Sequence, residues 1–160
     1  MNALTPLAVR IGSISWLPKL LPQITATDKL LQRSTRGRVT LLRLAGLPNL
    51  TLTVTGRKSG VPRSTPLLCV PYREGNLIAG SNFGGERPPV WVVNVRAAEE
   101  KGETVGVGVH GREHRAAVRE LTGPERDEAW QHMLKTWPNY AKYAARTDRT
   151  IPVFYLGPTG

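Results

Sequence analysis

The chain has 160 residues, 40% of them hydrophobic, and a formal net charge of +10. That length suits one domain of ordinary size, its apolar share excludes disorder throughout, and no apolar run approaches the roughly 20 residues that cross a bilayer. The charge is uneven: through Arg63, ten Lys or Arg stand against one acid, Asp28, while residues 64–160 carry a net charge of only +1, which argues against a nucleic-acid binder with its basic face spread over the fold and for local anion binding.

In chain order, residues 1–37 read as an arm. ISWLPKLLPQ offers Ile14, Trp16, Leu17, Leu20 and Leu21, broken by Pro18 and Pro22, so at most one helical turn fits between the breaks. TATDKLLQRSTRG then predicts a short helix, with Thr25 or Thr27 as cap and Gly37 as stop. Such an arm could lie flat on a membrane surface or pack its Leu and Trp onto the body or a partner subunit.

Residues 38–160 form the expected body. VTLLRLAG and LTLTVTG read as strands, and the turn TGRKSGVPR gathers Arg57, Lys58 and Arg63 with no acid among them. STPLLCVPY continues as a strand, and REGN turns into LIAGS. The single cysteine, Cys69, cannot form an internal disulfide and reads as a small core residue. PPVWVVNVRAAEEKG predicts a helix with Pro88 or Pro89 in its first turn. TVGVGVH and EHRAAVREL predict a hairpin across Gly111-Arg112, which sets His110 and His114 about a turn instead of on a metal-binding helical face. PERDEAWQHMLKTW predicts a helix, WPNYAKY an aromatic face with Tyr140 and Tyr143 one turn apart, and IPVFYL a closing strand. Antiparallel strands with helical insertions give an α+β protein on a small β-barrel. No secretory signal, structural metal or zinc spacing is evident, so a cytoplasmic protein is expected.

Two stretches carry candidate chemistry. The cationic tip is either a solvated turn or a grip for an anion. SNFGGERPPVW sets Ser81, Asn82, Gly84 and Gly85 before a helix N-terminus, where backbone can approach a ligand closely. It is not a dinucleotide-binding GxGxxG, and no Ser/His/Asp or Cys/His set is evident. An enzyme built this way leaves the difficult chemistry to a cofactor.

TGRKSGVPRSTPL, GSNFGGERPPVWVVN and WPNYAKYAARTDRTIPVFYL, in this order and spacing, resemble the deazaflavin (coenzyme F420)-dependent nitroreductase family over roughly Leu50 to Leu156. The resemblance implies a split β-barrel of the FMN-binding, six-stranded antiparallel type with flanking helices. It implies that Arg57, Lys58 and Arg63 meet the coenzyme's anionic tail, with Ser59 and Gly60 adding hydroxyl and backbone donors. Thr65, Pro66 and Leu67 would line the deazaflavin ring. Ser81, Asn82, Pro89, Val90, Trp91 and Asn94 match the second binding stretch, and Tyr140 and Tyr143 match tyrosines near the substrate, as candidate proton donors. The expected reaction is hydride transfer from reduced F420 to a quinone, activated alkene or nitro compound; the alternative is a carrier that binds the coenzyme without turnover. Peripheral membrane contact through the arm and a homodimer are both left open. The chain departs from the family pattern at Asn82-Phe83 and at Trp91-Val92-Val93-Asn94, where Trp-Tyr-x-Asn is common, and this places the acceptor pocket in question.

Overall fold

The structure, a computed structural model, describes residues 46–160 continuously and, before them, only Pro6, Arg10, Gln23, Ala26, Thr27 and Leu30. The arm, its short helix and the strand at VTLLRLAG therefore lie almost wholly outside the described residues. Thr27, one of the two expected caps, is itself helical. Its hydroxyl donates to the Gln23 carbonyl at 2.9 Å, which puts it inside a turn.

Seven strands and three helices follow from Asn49. They are β1 (Asn49–Thr55), β2 (Pro62–Leu68), β3 (Val70–Tyr72), β4 (Gly75–Ala79), α1 (Val90–Glu100), β5 (Val105–Val109), β6 (Arg112–Glu120), α2 (Gly123–Thr136), α3 (Asn139–Ala144) and β7 (Val153–Gly157), with a single 3-10 turn at Asn82–Gly84. All strand pairs are antiparallel, in the order β2-β1-β5-β6-β7-β4-β3. The two outer members, β2 and β3, are separated in the chain by Cys69 alone. The sheet thus curls until one stretch of chain links both its ends, as a split barrel requires. Counted as one interrupted strand, β2 and β3 give the expected six; the interruption comes at Cys69, whose N–H leaves the ladder for the Pro48 carbonyl at 3.0 Å.

Period-two alternation builds two cores. In β1 it turns Leu50, Leu52 and Val54 inward and leaves Thr51 and Thr53 outward. In β7, Phe154 and Leu156 enter the barrel with Trp91, Val92, Val95 and Ala98 of α1, while Val153 and Tyr155 face α2 and α3. Leu77 and Ile78 of β4 split in the same way. Strands covered on both faces read as unbroken apolar runs, which explains IPVFYL. Arg96 of α1 grips Glu120 of β6 with two bonds of 2.6 and 2.7 Å, and the Glu99 carboxylate accepts the Glu120 N–H.

The β5–β6 turn is His110-Gly111, one residue earlier than expected. Both residues are left-handed (φ 52° and 81°), as a two-residue hairpin loop matching strand twist demands. Helix α2 keeps Pro124 and Glu125 at its start and Lys135 at its end, as the sequence predicts. Among the described residues no group of three His, Cys, Asp or Glu could hold a metal, and no helix is long and apolar enough to cross a membrane.

Candidate functional site

The cationic tip is held by its own backbone. Gly56 N–H donates to the Val61 carbonyl at 2.9 Å, Gly60 N–H donates to the Gly56 carbonyl at 2.8 Å, and Val61 N–H donates to Ser59 Oγ at 3.3 Å. Arg57, Lys58 and Arg63 are all exposed, and among the described residues none of them enters an ion pair. Two expectations sharpen here. Gly60 offers no spare backbone donor, because its N–H is already used; its contribution is the left-handed turn at φ 66°. Ser59 spends its oxygen as an acceptor and keeps its O–H to donate.

The tip does not hang free. Arg57 N–H donates to Asn94 Oδ1 at 3.1 Å, and Asn94 is buried on α1. Two motifs 37 residues apart are thereby tied together. Asn94 was expected against the coenzyme; its carbonyl is instead the joint between hairpin and helix. Along β2, register with β1 sets Arg63, Thr65 and Leu67 on the face of Val54, Leu52 and Leu50, and sets Ser64 and Pro66 on the other face with Thr53 and Thr51. Thr65, Pro66 and Leu67 therefore cannot all line one ring face, because a strand alternates. Thr65 and Leu67 remain together, half-buried, and Leu67 also packs on the barrel core.

The second stretch is a braced loop. Asn82, Phe83 and Gly84 lie in succession at positive φ (45°, 53° and 80°), a costly arrangement for the first two. Asn82 Nδ2 donates to the Arg87 carbonyl at 2.9 Å, so this side chain props the loop instead of facing a ligand. Ser81 is half-buried and its carbonyl receives Gly84 N–H. Beyond the loop, Pro89 precedes α1 and Val90 stands 75% exposed, whereas Trp91 is buried edge-on against Phe154 at 5.7 Å. Trp91, expected as a coenzyme contact, is part of the barrel core, since the first turn of α1 points it inward.

Sequence reasoning missed Arg146 and Arg149. Arg149 Nε donates to the Gly85 carbonyl at 3.0 Å and its Nη2 to the Ser81 carbonyl at 2.8 Å, while Arg146 Nη1 reaches the Phe83 carbonyl at 3.3 Å. Burial lowers the pKa of Arg149. The nearest sequence signal is RTDRT itself, but partners 63 to 68 residues away leave no local trace.

Tyr140 and Tyr143 do share a face, with rings 6.1 Å apart. That face is the core. They are 4% and 2% exposed, Tyr140 packs on Trp130 at 5.5 Å and Tyr143 on Phe83 at 5.5 Å. Both rings are thus packing residues, in one cluster with Val70, Leu77 and Val153, and α3 rests mainly on the 3-10 turn and α2. Burial pushes the Tyr143 phenol up to about 12 despite a hydrogen bond from Trp137, raises Tyr140 above its usual range, and lifts the Cys69 thiol to about 12.

These shifts have a consequence for stability. Each group holds its proton more tightly folded than unfolded, so the stability it contributes is full below the unfolded pKa and is lost as pH rises toward the folded one. We expect their contribution to unfolding free energy to be flat to about pH 9 and then to fall, for Cys69 from about pH 9 and for the two tyrosines from about pH 10, by up to about 1.4 kcal/mol per pH unit for each group. Denaturant melts at stepped pH check this. Tyr143→Phe should make the fall shallower by one group, yet lower stability at pH 7 by about 1–3 kcal/mol, since it strands the Trp137 N–H.

A family model described as F420H(2)-dependent quinone reductase matches residues 26–158. The F420H(2)-dependent quinone reductase Rv1261c of Mycobacterium tuberculosis is 30% identical over 135 residues, spanning 84% of this chain and 89% of that protein. A solved F420-H2 dependent reductase, FDR-A, is 35% identical with a TM-score of 0.61, covering 68% of this chain and 93% of its own. A second solved chain, described as a domain-swapped dimer, is 34% identical with a TM-score of 0.64, covering 82% and 93%. The matched family takes its name from quinone reduction, not from nitroreduction as the sequence resemblance had it. With a family match over most of its length and a curled antiparallel sheet like that of its solved relatives, the chain belongs to the F420H(2)-dependent quinone reductase family and is an F420-dependent reductase whose cofactor is reduced coenzyme F420.

Proposed function

We propose that this reductase delivers reducing equivalents to a quinone, at the edge where the cationic hairpin meets α1. The observation that carries the reading is the Arg57–Asn94 hydrogen bond. It fixes three exposed cations beside a helix whose Val90 and Val93 are 75% and 37% exposed, with Val61 of the tip 54% exposed. Cationic and apolar surface meeting at one joint suits a long anionic coenzyme and a flat, largely apolar acceptor.

The residues fit the coenzyme's chemistry. Arg57, Lys58 and Arg63 would hold the oxyanions of its tail, two of them through guanidinium forks that match paired oxygens, and the Ser59 hydroxyl would add a donor. Thr65 and Leu67, on the inner face of β2, and Pro89 and Val90, before and at the start of α1, would flank its ring, with the backbone of the Ser81–Gly85 loop closing the site beside them. When bound, the reduced coenzyme supplies a hydride. The protein's part is to hold donor and acceptor in register and to cover them from water.

Oxidation of reduced coenzyme against a panel of a quinone, a nitro compound and an activated alkene tests the reading. Faster turnover with the quinone supports it. Preference for either other acceptor, or binding without turnover as in a carrier, overturns it. Cytoplasmic placement, peripheral contact with the inner face of the membrane through residues 1–37, and assembly as a homodimer belong to the same proposal. The apolar and cationic make-up of the arm supports the membrane contact, and the neighbour described as a domain-swapped dimer supports the assembly. Vesicle flotation of the full chain against one lacking residues 1–24, and light scattering, test them.

A further inference from the structure

The loop Ser81–Gly85 is an unusual thing to find standing by itself. Three successive residues hold left-handed backbone, and only the third is glycine. Non-glycine residues there cost of order 1 kcal/mol or more and persist only when their surroundings over-determine them. The loop's own bonds are two: Gly84 N–H to the Ser81 carbonyl and Gly85 N–H to the Asn82 carbonyl, both 2.9 Å. Left to these, the chain would relax.

Three side chains over-determine it: Asn82 itself, through the Arg87 carbonyl, Arg146, through the Phe83 carbonyl, and, with the widest reach, Arg149. This side chain crosses from the segment after α3 and spans the loop, taking the Ser81 carbonyl at 2.8 Å and the Gly85 carbonyl at 3.0 Å. The two carbonyls are the first and last of the loop, so one planar guanidinium fixes its width. Its remaining nitrogen, Nη1, is buried and, among the described residues, has no hydrogen-bond partner. A buried donor left unpaired is costly. Arg149 is therefore held by geometry and not placed for its own best bonding.

We propose that Arg149 is a positioning residue, which locks the Ser81–Gly85 loop in the strained shape that receives the coenzyme ring. The inference rests on the reading of this loop as part of the coenzyme site. A lysine cannot replace it, since a single ammonium lacks the rigid fork that spans two carbonyls. Without the lock the loop populates relaxed forms, and apparent coenzyme affinity falls by the fraction still competent. Bound coenzyme restores the shape, so the loss belongs in the KM for coenzyme and not in kcat.

The test uses the full chain with Arg149→Gln and Arg149→Lys, titrated and turned over with reduced coenzyme F420, with hydrogen exchange read at the Gly84 and Gly85 amides. We expect coenzyme Kd and KM to rise about ten- to a hundredfold in the Gln variant and by less in the Lys variant. The kcat at saturating coenzyme should fall less than threefold by the same argument. Exchange at both amides should quicken in the free variants and slow again with coenzyme. Unchanged affinity in a folded variant, or a loss confined to kcat, overturns the proposal. Should Arg149→Gln not fold, Arg149→Lys decides by the same readouts, and failure of both to fold would make Arg149 a fold residue and end it. If coenzyme binds the parent protein but leaves Gly84 and Gly85 unprotected, the loop is not part of the coenzyme site and the underlying reading fails instead.

Discussion

Replacing Arg57 and Lys58 together by alanine should weaken coenzyme F420 binding by a hundredfold or more and leave the fold unchanged. Both side chains are exposed and, among the described residues, neither enters an ion pair, so their removal takes nothing from the core. The turn keeps its shape because Gly56, Gly60 and Val61 hold it through backbone N–H groups, and the tie to Asn94 runs from the backbone of Arg57, which alanine retains. What is lost is charge facing a polyanion. A charge-assisted bond is worth about 1.5–3 kcal/mol, or roughly tenfold or more per residue. Salt provides a second measure, because screening weakens exposed pairs. The parent protein's affinity should fall steeply across a salt series and the variant's should fall less. A folded double variant with parental affinity would return the tip to a solvated turn.

How much of this was readable in advance depends on the range of the physics involved. The hairpin tip, the helices Val90–Glu100 and Gly123–Thr136 and the strands from Asn49 onward are set by alternation, proline and glycine within a few residues, and each stood within a few positions of its place. The cations of the tip were legible for the same reason: nothing local could neutralise them. Direction was harder. Trp91, Asn94, Tyr140 and Tyr143 matched binding positions by resemblance, yet the structure turns all four inward. Which side of α1 or α3 meets a core depends on strands far away in sequence, and no residue spacing records that. Asn94 shows the limit most clearly. Its amide completes a turn 37 residues earlier, a task the sequence near it does not announce. Arg146 and Arg149 escaped notice because they bond to carbonyls, and every residue offers one of those. The split of one long strand at Cys69 was likewise hidden, since STPLLCVPY is strand-like throughout.

Gly84→Ala should be among the most damaging single changes in the described chain, and a second glycine shows why. Gly84 and Gly102 are both left-handed, at φ 80° and 65°. Around Gly102 an added Cβ would meet nothing within 4 Å. Alanine there should cost only its backbone strain, about 1–2 kcal/mol. At Gly84 the same Cβ would lie 2.5 Å from the Tyr143 carbonyl oxygen and 2.8 Å from Arg146 Cβ. Neither can swing aside, because one is main chain at the end of α3 and the other is the root of a side chain that binds the Phe83 carbonyl. Overpacking of this kind adds about 1–3 kcal/mol, which brings the total to roughly 2–5 kcal/mol out of a stability of order 5–15. Denaturant midpoints of the two variants measure the difference directly. The relaxation open to Gly84→Ala is to push the loop away from α3, which loosens the carbonyls that Arg146 and Arg149 hold. Coenzyme affinity should therefore fall with stability in this variant, while Gly102→Ala loses stability alone. Equal losses at the two glycines would mean that the loop yields freely to a methyl group, and a loop that yields so easily could not be holding three left-handed residues in place.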